Sequence, residues 1–125
     1  DHAPHTAIEK GVGIRKAPFG IVGLETAAAL TMTELVDKGW LTIMQMAEKM
    51  SYNPAKILGL GKGVVEEGKA ADLVVFDAEK EYAIDPGQFC SRGKNTPFAG
   101  RKVKGMVMAT IVGGKIAFER PREKK

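Results

Sequence analysis

Cysteine is almost missing from the sequence, since Cys90 is the only one among 125 residues. A single cysteine excludes an internal disulfide, and proteins without disulfides are typical of reducing compartments, so we expect a cytoplasmic protein. Long apolar runs are missing as well, because none approaches the roughly 20 residues that a membrane-spanning helix needs. The sequence therefore predicts no membrane partner.

Acidic residues are missing from residues 92–104, although the whole chain has 15 of them against 19 lysines and arginines. The basic residues of this stretch are Arg92, Lys94, Arg101, Lys102 and Lys104. Such a run can bind nucleic acid. Here no repeated module interleaves it with aromatic residues, which favours a solvated face, and we predict no nucleic-acid partner.

Histidine is scarce, and both histidines lie within the first five residues, Asp1-His2-Ala3-Pro4-His5. Pro4 fixes its own φ and keeps Ala3 out of helical geometry, so this segment is predicted to be an extended turn. Aspartate and histidine offer oxygen and nitrogen ligands that suit zinc, and a carboxylate can also act as a general base. The alternative interpretation is a disordered terminus with two solvated histidines.

The first half of the chain is predicted to be helical after a glycine- and proline-rich loop over residues 6–23. A first amphipathic helix is predicted over residues 24–38, with Gly39 as its C-terminal stop. The residues expected on its apolar face are Leu24, Ala28, Leu35 and Val36.

Two further helices follow in the prediction. Thr42 and Gln45 form a capping box that begins a helix over residues 43–50. Asn53-Pro54 combines an N-cap residue with a proline at the first helical position, which predicts a new helix that ends near Gly59. The residues expected to be buried on the earlier of these two helices are Ile43, Met46, Ala47 and Met50.

The second half is predicted to consist of strands. Leu73–Phe76 is an apolar, β-rich run between two aspartates and is expected to be buried on both faces. Residues 79–87 and 103–112 are further strand candidates. Gly113-Gly114 predicts a two-residue hairpin turn into a last strand at Lys115–Phe118.

Six blocks of the sequence, in this order, resemble the end of a dihydroorotase of the amidohydrolase superfamily. They are Asp1–Thr6, Glu9-Lys10, Pro18–Thr26, Asn53–Ala55, Gly68–Val74 and Asn95–Phe98. The first block is the specific one. The fifth is weaker, because it recurs in hydantoinase-like and other amidohydrolases.

The resemblance implies an α/β fold. Residues 1–60 would be the C-terminal end of a TIM (β/α)₈ barrel, comprising the tip of strand eight, a substrate loop and closing helices. Residues 61–125 would form most of a small β-sandwich. Because Asp1 stands where the family has its last metal ligand, and no initiator methionine is present, we expect the C-terminal part of a longer enzyme that is inactive as a fragment.

The implied reaction is the reversible, zinc-dependent cyclisation of N-carbamoyl-L-aspartate to dihydroorotate in pyrimidine biosynthesis. One or two zinc ions are implied, with most ligands upstream. By resemblance, Asp1 is a metal ligand and the catalytic base. His5 would bind the substrate carboxylate, and Phe19 and Gly20 would offer backbone hydrogen bonds to the substrate ring. His2 has no implied role.

Other functions stay open at this point. An allantoinase or hydantoinase would share the block around Asp72 and hydrolyse related cyclic amides. A non-catalytic subunit that scaffolds aspartate transcarbamoylase could present residues 92–104 to that partner, although it would need neither Asp1 nor His5. The remainder of the same enzyme is an expected partner, and a homodimer is another.

Overall fold

The computed structural model describes residues 1–121, with helices in the first half and an antiparallel sheet in the second. The helices are α1 (Ala7–Lys10), α2 (Ala27–Thr31, continued by the π-helical Met32–Val36), α3 (Ile43–Ala47, continued by the π-helical Glu48–Tyr52), α4 (Asn53–Ile57) and the 3₁₀ turn Pro86–Gln88. The strands are β1 (Leu73–Ala83), β2 (Lys102–Val112) and β3 (Lys115–Glu119). Within residues 1–121, no helix is long and apolar enough to cross a bilayer.

Helix α1 lies inside the segment that was predicted to be a loop, so that prediction was wrong over Ala7–Lys10. The cause is a capping box, in which Glu9 N donates to Thr6 Oγ1 at 3.2 Å and Thr6 N donates to Glu9 Oε2 at 2.7 Å. The Thr6 backbone bond is the main reason why the pKa of Glu9 is lowered. Four residues are too few for an apolar period to reveal a helix, and only the cap residues signal it.

Helix α2 is confirmed, and it ends before Gly39, whose φ of 75° suits a glycine stop. It begins at Ala27, three residues later than predicted. Its buried face was predicted wrongly, since Ala29 and Met32 are buried while Leu35 is exposed. The sheet packs under α2 on the Ala29 side, which a helical period alone cannot identify.

Helices α3 and α4 form one continuous helical run, and the predicted break at Asn53 was wrong. Asn53 is helical at φ −63° and ψ −45°, and its N–H bonds to Glu48 O across a π turn. Pro54 follows immediately; it has no N–H, and a proline ring also crowds the carbonyl four residues earlier, so the helical run accommodates it directly after this π turn.

The predicted features at the two ends of this helical run are confirmed. The Thr42–Gln45 capping box is present, and Gly59 follows the helix with a φ of 65°. Of the four residues that were expected to be buried between 43 and 50, Met46 alone is buried.

The sheet has the order β1-β2-β3, and both pairings are antiparallel. Residues 73–76 and the start of 79–87 were predicted as separate strands but belong to one long strand, β1. The strand stays paired with β2 across a shift of register between Asp77 and Glu81. Val74 and Val75 are more than half exposed, so burial on both faces is not found within residues 1–121. The Gly113-Gly114 turn is confirmed, with φ values of 55° and 78°.

Asp72 joins the start of β1 to this hairpin. Its Oδ1 accepts a hydrogen bond from Gly113 N at 2.7 Å, and its Oδ2 is ion-paired with Lys62. Gly114 N bonds to Ala71 O at 3.0 Å beside it. The Lys62 hydrogen bond, followed by the Gly113 bond, lowers the pKa of Asp72 from its ordinary value of 3.8.

The core lies between α2 and the sheet. Ala29, Ile84 and Val103 are buried together. The residues packed against them are Leu30, Tyr82, Phe89 and Phe98. This core contains residues from both sides of the predicted boundary at residue 60, so the two segments meet here, and the boundary itself stays a prediction.

Gly105 allows β2 to approach α2 closely. At its φ of 91° an added Cβ would collide with the Phe76 ring and would lie 3.0 Å from Met32 Cβ. Gly100 also has a positive φ, of 75°, but nothing lies within 4 Å of an added Cβ. Comparing alanine substitutions at these two glycines therefore separates the cost of steric contact from the cost of backbone strain.

We expect Gly105→Ala to lower the free energy of unfolding by about 2–5 kcal/mol, the sum of left-handed strain and overpacking. The matched control Gly100→Ala should lose only the strain component, about 1–2 kcal/mol. Urea unfolding of both variants beside the parent protein measures this. Equal losses would show that Gly105 is not a packing position.

We expect Asp72→Asn to lower the melting temperature at pH 7. Because the pKa of Asp72 is lowered by folding, its stabilising contribution is present above pH 3.8 and is lost as the pH falls through the folded-state pKa. The difference from the parent protein should therefore shrink below pH 3.8. Melting curves from pH 7 to 2.5 test this, with the exposed Glu67→Gln as control. A difference that is constant with pH would contradict it.

Candidate active site

The site is built on two backbone segments that run side by side, residues 1–5 (the N-terminal segment) and residues 19–24 (the loop segment). Ala3 N donates to Ile21 O at 2.8 Å. A Cβ on Gly20 would lie 2.5 Å from Ala3 Cβ, and a Cβ on Gly23 would collide with Asp1 O. Glycine at these two positions therefore lets the segments touch.

Asp1 lies at one end of this arrangement and is exposed. Its Oδ1 accepts a hydrogen bond from His2 N at 2.8 Å. Its Oδ2 is on the side of the loop segment, 3.9 Å from a Cβ built on Gly20. Among the described residues Oδ2 has no hydrogen-bond donor, which leaves it available for a ligand or a proton.

His5 contacts the loop segment through its ring. Nε2 lies 3.0 Å from Phe19 O. A carbonyl oxygen can only accept, so Nε2 carries the proton and Nδ1 remains for another partner. The structure thus brings His5, Phe19 and Gly20 together, with the Phe19 side chain 93% exposed beside them.

The Phe19–Gly20 peptide is oriented by this bond. In a planar trans peptide the carbonyl and the following N–H point in opposite directions. Since Phe19 O points at the His5 ring, the Gly20 N–H points away from it. A molecule bound here would therefore have to contact His5 and the Gly20 N–H through two different groups of its own.

His2, to which the sequence analysis assigned no role, connects the two segments by hydrogen bonds. Its Nδ1 accepts hydrogen bonds from Gly23 N at 3.2 Å and Leu24 N at 3.4 Å, so the proton is on Nε2, 3.4 Å from Ser91 Oγ. Backbone and serine partners therefore occupy both ring nitrogens.

The metal-binding capacity of residues 1–121 is small. They contain no group of three or more His, Cys, Asp or Glu side chains that could hold a metal ion. A catalytic zinc ion usually has three protein ligands. Asp1 Oδ2 could supply one such ligand, and residues 1–121 do not form a complete zinc site by themselves.

Asn95 belongs to the site although sequence reasoning gave it no role. Its Oδ1 accepts from His5 N at 2.9 Å, and its Nδ2 donates to Ala3 O at 2.9 Å and Gly20 O at 3.3 Å. Its carbonyl oxygen accepts from Val22 N at 3.1 Å. It was part of a block that carried the resemblance, but no local pattern connects it to residues 90 positions earlier.

Two charged residues were also missed. Lys10 Nζ donates to Pro18 O at 2.8 Å and Gly20 O at 3.0 Å, which holds the loop segment from the side of α1. The Glu25 carboxylate accepts from Cys90 N at 2.7 Å and Ser91 N at 3.0 Å. Both act on backbone groups, for which the sequence has no signal.

Comparisons with known proteins give related enzymes. The chain is 53% identical over 120 residues to a dihydroorotase from Bacillus cereus (strain B4264), and 51% identical over 119 residues to one from Pelotomaculum thermopropionicum. These matches cover 96% and 95% of the chain but 28% of each relative. The chain therefore spans little more than a quarter of the length of these curated relatives.

A solved structure supports the same relationship. The L-hydantoinase (dihydropyrimidinase) from Arthrobacter aurescens superposes with a TM-score of 0.80 at 35% identity, over 86% of this chain and 24% of the other. The model of the amidohydrolase family matches residues 7–117, which is most of the chain. The chain belongs to the amidohydrolase family.

Proposed function

We propose that the protein containing this chain is a dihydroorotase, which catalyses the reversible cyclisation of N-carbamoyl-L-aspartate to dihydroorotate. The observation that carries the proposal is the meeting of Asp1, His5 and the Phe19–Gly20 peptide at one place, in a chain 53% identical to a dihydroorotase. Cys90 is an exposed free thiol, which is compatible with work in the cytoplasm.

The proposed architecture is the end of a (β/α)₈ barrel over residues 1–60 and part of a β-sandwich over residues 61–125. The likeness to a hydantoinase structure supports it. Exposed apolar side chains support it as well, since Trp40 and Met44 are each about three-quarters exposed on the helical half. Strand β1 is also an edge of its sheet. We propose that the remainder of the same enzyme covers these surfaces.

Asp1 has two proposed tasks. It would hold a zinc ion through Oδ2, with the other ligands supplied from outside residues 1–121. A bound zinc ion supplies Lewis-acid polarisation and makes a water molecule more acidic. Asp1 would take the proton from the attacking water and return it to the ring nitrogen as the amide bond breaks. Without those other ligands we expect this chain alone to be inactive.

The substrate-binding roles follow from which groups remain available. Among the described residues, the Gly20 carbonyl is taken by Lys10 and Asn95, whereas the Gly20 N–H has no acceptor. That N–H would donate to the substrate ring. His5 Nδ1 would bind the substrate carboxylate, for which it must carry a proton while Nε2–H stays on Phe19 O. The different directions of these two donors suit a substrate with its carboxylate on one side of the ring.

A hydantoinase is the second candidate, favoured by the superposition with the Arthrobacter aurescens enzyme. Sequence identity favours the first proposal, at 53% against 35%. A scaffold for aspartate transcarbamoylase is less well supported. The chain itself holds Lys94, Arg101 and Lys104 of the basic stretch, through Phe89 O, Glu34 and Asp37.

Turnover of the full-length protein on dihydroorotate, hydantoin and allantoin separates these functions. We expect ring opening of dihydroorotate, with kcat/KM at least about tenfold lower for the other two substrates. The reason is that neither hydantoin nor allantoin has the carboxylate that His5 would bind. Activity confined to hydantoin or allantoin would overturn the dihydroorotase proposal. Failure on all three substrates by a zinc-loaded protein would favour the scaffold.

We expect Asp1→Asn in the full-length enzyme to reduce kcat by about 10²–10⁴-fold or more, because the amide keeps the shape but cannot accept the proton. Glu67→Gln, which removes an exposed carboxylate away from the site, is the matched control. Steady-state kinetics on dihydroorotate measures both variants. If Asp1→Asn retains more than about a tenth of the parent turnover, Asp1 is not the base.

A further inference from the structure

Asn95 directs all of its polar side-chain atoms at the candidate site from the other half of the chain. It lies between the 3₁₀ turn and β2, yet its amide binds Ala3 and His5 of the N-terminal segment and Gly20 of the loop segment. A carboxamide both donates and accepts at one fixed position, and these contacts need both functions. A carboxylate or a hydroxyl of the same reach could not satisfy all three partners.

The contacts enclose Pro4. Asn95 binds the carbonyl before Pro4 and the N–H after it. Gly93 allows this approach, because a Cβ there would lie 2.7 Å from Pro4 Cβ. Since Pro4 also has a fixed φ, the backbone leading to His5 is held at each end of the proline residue.

The position of Asn95 is itself fixed. The Glu25 carboxylate accepts the N–H groups of Cys90 and Ser91, and the Ser91 hydroxyl lies 3.4 Å from His2 Nε2. Val22 N donates to the Asn95 carbonyl at 3.1 Å. The loop over residues 90–95 is therefore attached to both segments independently of the amide, so changing the amide leaves several attachments in place.

We propose that Asn95 is a positioning residue, which holds His5 and Gly20 at the separation that the substrate needs. The proposal rests on the proposed function, because that function makes His5 and Gly20 substrate-binding groups. Asn95 itself touches no reacting atom. Its effect passes through the His5 backbone N–H and the Gly20 carbonyl, so substrate affinity is the quantity it should change most.

The test uses three variants of the full-length enzyme. Asn95→Ala removes every side-chain contact. Asn95→Asp keeps the shape and the acceptor for His5 N but replaces the donor to Ala3 O and Gly20 O by a repelling oxygen. Asn53→Ala, at the only other asparagine, lies in α4 away from the site and is the matched control. The readouts are KM and kcat for dihydroorotate, zinc content and melting temperature.

We expect both Asn95 variants to raise KM by about tenfold or more, since displacing binding groups by even 1 Å is costly, with a smaller fall in kcat. Zinc content should match the parent enzyme, and Asn53→Ala should stay within about twofold in KM and kcat. A purely structural role would lower the amount of folded, zinc-loaded enzyme and leave the KM of that enzyme unchanged. That result would overturn the proposal.

The remaining outcomes also decide it. Parent-like KM in Asn95→Asp would show that the donor to Ala3 and Gly20 is not needed, and the proposal would be wrong. If Asn95→Ala does not fold, the KM of the isosteric Asn95→Asp gives the decision. A parent enzyme that does not act on dihydroorotate overturns the proposed function instead. The same variants are then compared on the cyclic amide that it does hydrolyse, and an unchanged KM there rejects the positioning role.

Discussion

The close approach of residues 1–5 to residues 19–24 is the constraint on which the candidate site depends. Any side chain at Gly20 or Gly23 would push the segments apart, because a Cβ at the first meets Ala3 and at the second meets Asp1. Only at this separation does His5 reach Phe19 O. The His5 bond in turn sets the direction of the Gly20 N–H through the planarity of the peptide. A local steric condition thus determines the directions of these polar groups.

The second half of the chain maintains this arrangement. The core under α2 fixes the sheet against the helices, and Gly105 lets β2 come close enough to Met32 to do so. From that sheet the loop over residues 90–95 returns to the site and meets both segments through Asn95. Apolar packing therefore places the loop, and hydrogen bonds transmit that placement to the site. The buried core thus acts on the site through the loop and its hydrogen bonds to the backbone.

Features that depend on a few neighbouring residues could be predicted from the sequence. The Thr42–Gln45 capping box and the Gly113-Gly114 turn are of this kind, since their hydrogen bonds and φ values are local. Features set by tertiary contact could not. The π turn before Pro54 was missed, and so was the choice of Ala29 rather than Leu35 as a buried position. In the site, the resemblance supplied Asp1, His5, Phe19 and Gly20. The contacts of Asn95 required the structure, because its partners lie 75 to 92 residues away in the chain.

The most direct measurement is a crystal structure of the full-length protein with zinc and dihydroorotate bound. We expect an Asp1 oxygen about 2.0–2.2 Å from a zinc ion. We also expect the substrate carboxylate within about 2.7–3.2 Å of His5 Nδ1, and the substrate ring at a similar distance from the Gly20 N–H. A substrate that binds away from His5 and Gly20, or an Asp1 carboxylate directed away from the metal, would contradict the proposed roles of these residues.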